Sequence, residues 1–194
     1  MIKVSIIIPV YNQEELIVRA LDSIPDRDDI EVIVIDDCST DGTLNIVKNY
    51  HRIKNLNIFH NDKNMGVGYS RNVGLDNAVG EYIYGIDSDD YVNTEKFNFV
   101  LDMLYKLNYD IIYVWIKLNS GEMWGPGCTA FHTRFTKRSL IGNLRCPLKT
   151  YGEDTDLYHE LLKLPATSCR LDKSLCFYNY NFPRVGSLDW INTH

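Results

Sequence analysis

The chain alternates short β-branched runs with amphipathic stretches. Residues 4–9 form a mostly apolar run that ends at Pro9, the pattern of a buried strand. Residues 14–24 carry Leu16, Ile17, Ala20, Leu21 and Ile24 at helical spacing, with Pro25 behind them. Residues 31–35 are a second β-branched run. Ser39, Thr40, Asp41 and Thr43 then offer caps for a helix to about residue 50. A weaker strand is expected at 56–60. A third helix is expected at 66–79, with Val67, Ser70, Val73, Gly74 and Ala78 on one side. Residues 81–86 read as a strand. Thr94 is placed to cap a helix through residue 107, whose Phe97, Val100, Leu101 and Leu104 make an apolar stripe. Residues 110–118 read as a longer strand.

Such alternation predicts an α/β fold, a mainly parallel sheet with helices on both faces. After residue 120 the pattern breaks. Gly121, Gly125, Pro126, Gly127 and Pro147 interrupt short apolar pieces, a helix returns at 154–164, and two short strands are expected at 166–170 and 175–180. No internal repeat or linker divides the chain. The expectation is one domain over 1–194: a nucleotide-binding half to about residue 120, and an irregular half over 121–194 built onto it.

The 194 residues are 45% hydrophobic and 24% charged, which excludes disordered and collagen-like classes. No window approaches the ~18 apolar residues of a membrane span, and no basic segment precedes an apolar one as in a signal peptide. Five cysteines (Cys38, Cys128, Cys146, Cys169, Cys176) without a CxxC pair fit reduced thiols in a cytoplasmic setting, bacterial or that of a virus-infected host. The net charge of −6 is unevenly spread, and residues 123–152 hold no acid but carry Arg134, Lys137, Arg138, Arg145 and Lys149. That stretch reads either as a solvated basic face or as a surface for an anionic partner.

Ligands of open α/β sheets bind at the carboxyl ends of the strands. Three polar clusters fall there: Pro9, Tyr11 and Asn12 after the first strand, Asp36 and Asp37 after the second, and Asp87, Ser88, Asp89 and Asp90 after the strand at 81–86. Carboxylates crowded in this way repel one another unless a cation or hydrogen-bond donors meet them. Hard divalent cations bind through one or two carboxylates plus substrate phosphates, so the clusters point to a metal and diphosphate site. A dinucleotide site is excluded, because no glycine directly follows the first strand and the GxG at Gly66 to Gly68 has Arg71 where a third glycine belongs. Asp154, with Glu153 beside it, opens the last helix behind the basic segment and is placed to act as a general base. His132 lies in that segment, either near phosphate or in ordinary packing. His159 reads as structural.

Together these blocks resemble the family 2 glycosyltransferases. Residues 4–12 and 32–43 match the family's opening. Asn64, Gly66 and Gly68 with Ser70, Arg71 and Asn72 match its third block, Asp87 to Asp90 its DxD block, and Gly152, Glu153 and Asp154 its ED block. Residues 177–180 with Arg184 and Ser187 are similar to a C-terminal block. The resemblance implies a GT-A fold and an inverting transfer from a nucleotide sugar, UDP-sugar above all. It implies that Pro9, Tyr11, Asn12 and Asp37 hold the nucleoside, Asp37 accepting from the uracil imide. Asn64, Gly66 and Arg71 border the donor. Asp87 and Ser88 face the ribose or metal, and Asp89 with Asp87 ligates Mn²⁺ or Mg²⁺. Asp154 is the base, flanked by Glu153, and Arg184 and Ser187 close over the diphosphate. The chain reads as a minimal soluble core without the membrane helices of many members. The implied acceptor is a saccharide or a lipid- or polyol-linked saccharide. Hydroxymethylated DNA is an alternative, with Trp115, Trp124, Phe131 and Phe135 near the basic stretch. A catalytically inactive nucleotide-sugar-binding module is a further one.

Overall fold

The computed structural model describes residues 1–118, 121–125, 128–149 and 151–178, with 172–178 as backbone only. Its centre is a twisted sheet whose first half is parallel. Strands β1 (Val4–Val10), β2 (Ile30–Asp36), β3 (Leu56–His60) and β4 (Tyr82–Gly85) lie in the order β3-β2-β1-β4. The register pairs Ile6 with Val32 and with Tyr84. Every residue of β1 and β2 is buried, as expected of strands covered on both faces. Alternate side chains feed two cores. Ile6, Ile8, Val32 and Val34 enter one, against α1 (Ile17–Ser23) and α4 (Thr94–Leu104). Ile7, Ile33 and Ile35 enter the other, against Leu75 of α3 (Val67–Asn77) and Leu157 and Leu161 of α6 (Glu153–Leu161). Helices α3 and α6 therefore share one face of the sheet. Helix α2 (Thr43–Lys48) and the single turn α5 (Arg138–Ile141) complete the helical set among the described residues.

The second half of the sheet is mixed. Beyond β4 come β8 (Arg134–Lys137), β6 (Ile111–Leu118), β9 (Ser168–Tyr178) and β5 (Tyr91–Val92), with β7 (Met123–Trp124) paired to β6. Strand β8 runs antiparallel to β4 and β6, while β9 runs parallel to β6. Phe135 of β8 stacks on Tyr84 of β4 at 4.4 Å between ring centres, and both meet Phe97 of α4. Such contacts add about 0.5–1.5 kcal/mol beyond area burial.

Several expected boundaries shift. The first helix begins at Ile17, because Gln13 to Leu16 form a turn whose backbone is held by side chains of the next loop: Thr43 Oγ1 accepts from Gln13 N and Asp41 Oδ2 from Glu14 N. Asn93, not Thr94, caps α4, accepting from Lys96 N at 2.9 Å, while Thr94 Oγ1 donates to Ser23 O. Two short strands expected near the end are one strand, β9, because both pieces pair with β6, across register shifts. Strands β5, β7 and β8 were not anticipated, being too short or too polar to show a period of two.

Candidate active site

The carboxyl ends of β1, β2, β3 and β4 define one rim. Two non-glycine residues with left-handed backbone, Asn12 (φ 50°) and Cys38 (φ 65°), mark it. Asn12 is held there by Thr40, whose N–H donates to its Oδ1 at 2.7 Å. Pro9 is buried at the end of β1, while Tyr11 and Asn12 are exposed beyond it. Asp37 is buried and clamps the β3–α3 loop. It accepts from Asn61 Nδ2 (2.7 Å), Met65 N (2.9 Å) and Gly66 N (2.7 Å). A carboxylate offers about four acceptor positions, so roughly one is left for a ligand. Asp36 is fully buried and takes Ser39 N and His60 Nδ1. Asn64 is exposed on the same loop, and Gly66 starts α3 with φ 86°.

The segment after β4 is a tight turn in which Asp90 N donates to Asp87 O at 2.9 Å. The first and last residues of such a turn face one another, and the two between them point elsewhere. That geometry brings Asp87 and Asp90 together, with Ser88 and Asp89 between. Arg19 of α1 braces the turn from behind by donating to Asp89 O. His132 completes the group, and donor atoms of Asp87, Asp90 and His132 lie within 4.8 Å of one another. Asp89, expected as the metal ligand, is not one of the three. His132 arrives because a 3-10 turn, Phe131–Thr133, packs onto the end of β4. That packing needs Gly85, where a Cβ would fall 1.9 Å from Phe131 Cδ1. Two carboxylates and an imidazole match the donor preference of a divalent cation such as Mn²⁺.

Arg71 lies deep between the turn and α6. Nη2 donates to Asp87 Oδ1 at 2.8 Å, Nη1 pairs with Glu153 Oε1, and the guanidinium sits over the Phe131 ring. Burial works against its charge, but the carboxylates of Asp87 and Asp154 hold it above its ordinary value. Glu153 is itself buried, so its part in the structure is to anchor α6 to Arg71. The next residue, Asp154, is half-buried at the first turn of α6, where acids favour the helix dipole. Its Oδ1 accepts from Thr155 N at 2.8 Å. Burial pulls the Arg134 guanidinium down, and the Asp154 charge opposes that pull. Burial also raises the Cys146 thiol to about 11, which keeps it protonated and unreactive.

The basic stretch resolves differently from both readings of it. Arg134 is buried over the Tyr158 ring and donates to Thr129 O and Ala130 O. Lys137 pairs with Asp110, Arg145 with Asp76 at 2.5 Å, and Lys149 with Asp156 at 2.5 Å, while Arg138 donates to Gly80 O. These cations answer acids and carbonyls elsewhere in the chain, so acid-poor sequence is not a bare basic surface. Phe131 and Phe135 are core residues. His159 is exposed rather than structural. Arg184 and Ser187 lie outside the described residues, as do 179–180 of the C-terminal block.

A parallel sheet half, a carboxylate turn at its rim and a helix latched to that turn by Arg71 define a GT-A fold. The sequence profile of glycosyl transferase family 2 matches residues 5–152, and the chain belongs to that family. It is 38% identical over 127 residues to the poly(ribitol-phosphate) beta-N-acetylglucosaminyltransferase TarS of Staphylococcus aureus (63% of this chain, 22% of that protein). It is 42% identical over 99 residues to a poly(ribitol-phosphate) beta-glucosyltransferase of Bacillus spizizenii (48% of this chain, 16% of that one). The structure of S. aureus TarS residues 1–349 in complex with UDP-GlcNAc superposes with a TM-score of 0.82 at 26% identity, over 98% of this chain and 64% of that one. The chain thus spans about a fifth of the length of those curated relatives. No helix among the described residues is long and apolar enough to cross a membrane.

Proposed function

We propose that residues 1–194 act as one catalytic unit, donor-binding to about residue 120 and base-bearing after it. The unit moves a sugar from a UDP-sugar to a hydroxyl of a polyol-phosphate polymer, with inversion. The observation that carries this reading is the Arg71 guanidinium, which joins the Asp87 turn to Glu153 and so sets the base helix beside the donor rim. The relatives support the substrates: TarS is solved with UDP and with UDP-GlcNAc, and both named relatives act on poly(ribitol phosphate). The DNA alternative is set aside, since those acceptors are polyol phosphates and Lys137, Arg145 and Lys149 of the basic stretch each pair with an acid. The cluster of Asp87, Asp90 and His132, with Arg71 feeling the charges of both Asp87 and Asp154, favours catalysis over a binding module. Cys38, Cys128, Cys146 and Cys169 are free thiols.

In this reading Pro9, Tyr11, Asn12 and Asp37 bind the nucleoside, and Asn64 and Gly66 border it. Asp87, Asp90 and His132 would hold Mn²⁺ or Mg²⁺, which when bound offsets negative charge on the diphosphate. Asp154 takes the proton of the acceptor hydroxyl. The acceptor oxygen forms its bond to C1 from the face opposite the diphosphate. The C1–O bond breaks, and its electron pair leaves with UDP. A positioned base supplies about 10²–10⁴-fold. Arg71 offsets the charges of Asp87 and Glu153 beside the donor rim, and Glu153 positions rather than reacts.

The test is a thermal melt with UDP and other nucleoside diphosphates, with and without Mn²⁺, followed by UDP release from UDP-GlcNAc with poly(ribitol phosphate). Ligand at about 100 Kd stabilises by about 2.7 kcal/mol, a Tm rise of roughly 5–10 °C at this size. A metal-dependent rise with UDP and acceptor-dependent UDP release are expected. No shift with any nucleoside diphosphate overturns the reading.

A further inference from the structure

Helix α3 has two working faces. The first packs Ser70 and Gly74 toward the sheet, Gly74 directly against Ile7 and Ile35. The second is a stripe of Gly68, Arg71, Asn72 and Asp76, spaced as i, i+3, i+4 and i+8, which a helix lays out in one row. Each member meets the segment 145–153 that leads into α6. A Cβ on Gly68 would lie 2.7 Å from Pro147 O and 3.3 Å from Glu153 Cγ, so the segment rests directly on the helix backbone there. Arg71 holds Glu153. Asp76 Oδ1 accepts from Arg145 Nε at 2.8 Å. Asn72 grips the backbone at two points: its Nδ2 donates to Cys146 O, and its Oδ1 accepts from Cys146 N, both at 2.8 Å.

That reciprocal pair is what a neighbouring strand residue would give. No strand among the described residues pairs with the segment, and its buried backbone groups still need partners. Cys146 is buried and packs in the same core as Leu157 and Leu161 of α6. The loop is therefore pinned at 145–147 by the stripe, and again at Glu153, one residue before Asp154. We infer that α3 is a rail that sets the position of Asp154, and that Asn72 is its central positioning residue. The inference rests on the reading of Asp154 as the base. A displacement of about 1 Å at a reacting group can cost on the order of 10²-fold, so a loosened rail should show in turnover before donor binding.

The test compares Asn72→Ala and Asn72→Asp with wild type in UDP release from UDP-GlcNAc with poly(ribitol phosphate). Asn72→Ala should lose about 10–100-fold in kcat, with KM for UDP-GlcNAc and the UDP-induced Tm shift held within about twofold. Asn72→Asp keeps the acceptor for Cys146 N and should recover part of the loss. Hydrogen exchange should speed up at Cys146 and in the first turn of α6, with β1 and β2 unchanged. Unchanged kcat, or kcat and UDP binding falling together, overturns the rail. If wild type itself releases no UDP, the proposed reaction fails, and exchange alone decides: unaltered protection at Cys146 and in α6 of Asn72→Ala sinks the inference. Should the alanine variant not fold, the aspartate variant carries the same measurements.

Discussion

Arg71 Nη2 lies 2.8 Å from Asp87 Oδ1, while its Nη1 holds Glu153. A residue on α3 thus ties the turn after β4 to a helix that starts at residue 153. Removing one partner of a buried ion pair typically costs about 3–5 kcal/mol, because the other charge is left behind. Arg71→Met should therefore lower the unfolding free energy by about that much in urea titration. A loss under about 1 kcal/mol would show that Asp87 and Glu153 are held by other groups, and would undo the latch.

Asp154→Asn keeps the shape of the side chain and removes its basicity. Turnover should drop by at least about 10²–10⁴-fold, and the Tm shift with UDP should persist. Near-normal turnover would move the base elsewhere.

The turn geometry separates two neighbouring acids. Asp90→Ala should abolish the metal-dependent part of the UDP shift, because Asp90 stands with Asp87 and His132. Asp89→Ala should keep it. The opposite pattern would make Asp89 the ligand, as the DxD spacing alone suggests.

Gly85→Ala tests how His132 reaches the site. Its Cβ would collide with Phe131, and overpacking a buried position typically costs about 1–3 kcal/mol. The variant should melt lower and also bind UDP with less help from Mn²⁺. A lower melt with unchanged Mn²⁺ response would separate Phe131 packing from His132 placement.

Away from the site, Arg27 forks onto Asp29 and reaches Asp102 of α4. The hydrogen bond from Arg27, with help from Tyr105, lowers the Asp29 carboxyl from 3.8 to about 2. The folded state therefore binds fewer protons here than the unfolded chain, and the stabilisation is complete above pH ~4 and is lost as pH falls toward ~2. Asp29→Asn should be less stable than wild type by about 1 kcal/mol at pH 7 after allowance for solvent screening. Urea midpoints should converge between pH 4 and 2. A constant gap across that range would remove the ion pair as its cause.

The parallel half of the fold was legible because β1 and β2 are buried on both faces and so read as unbroken apolar runs. The last helix, Glu153–Leu161, was legible from its acidic first turn. What escaped depended on distant partners. Strand β8 is only four residues, Arg134–Lys137, and half of it is basic; its place beside β4 comes from Phe135 meeting Tyr84, which no local pattern encodes. Asp90 was visible only as part of an acidic run, although Asp87 to Asp90 has the spacing of a turn that pairs its ends. Arg71 and Asn72 stand in a motif that suggests ligand contact, yet the structure has them gripping protein. The acid-free stretch misled because Lys137, Arg145 and Lys149 pair with Asp110, Asp76 and Asp156, acids that all lie outside it.

Strand β9 has a consequence for the order in which the molecule can assemble. It sits between β6 and β5, pairing Tyr91 with Phe177 and Val92 with Cys176. Strand β5 follows directly on the turn that carries Asp87 and Asp90. During synthesis, at about 5–20 residues per second, the parallel strands are complete long before residue 177 leaves the ribosome. Until then the far flank of that turn has no sheet to join, and β6 shows an open edge of the kind that recruits other chains. Nascent or shortened chains ending before β9 would be sticky and slack at Asp90, although every donor-side residue named above except Arg184 and Ser187 had already been made.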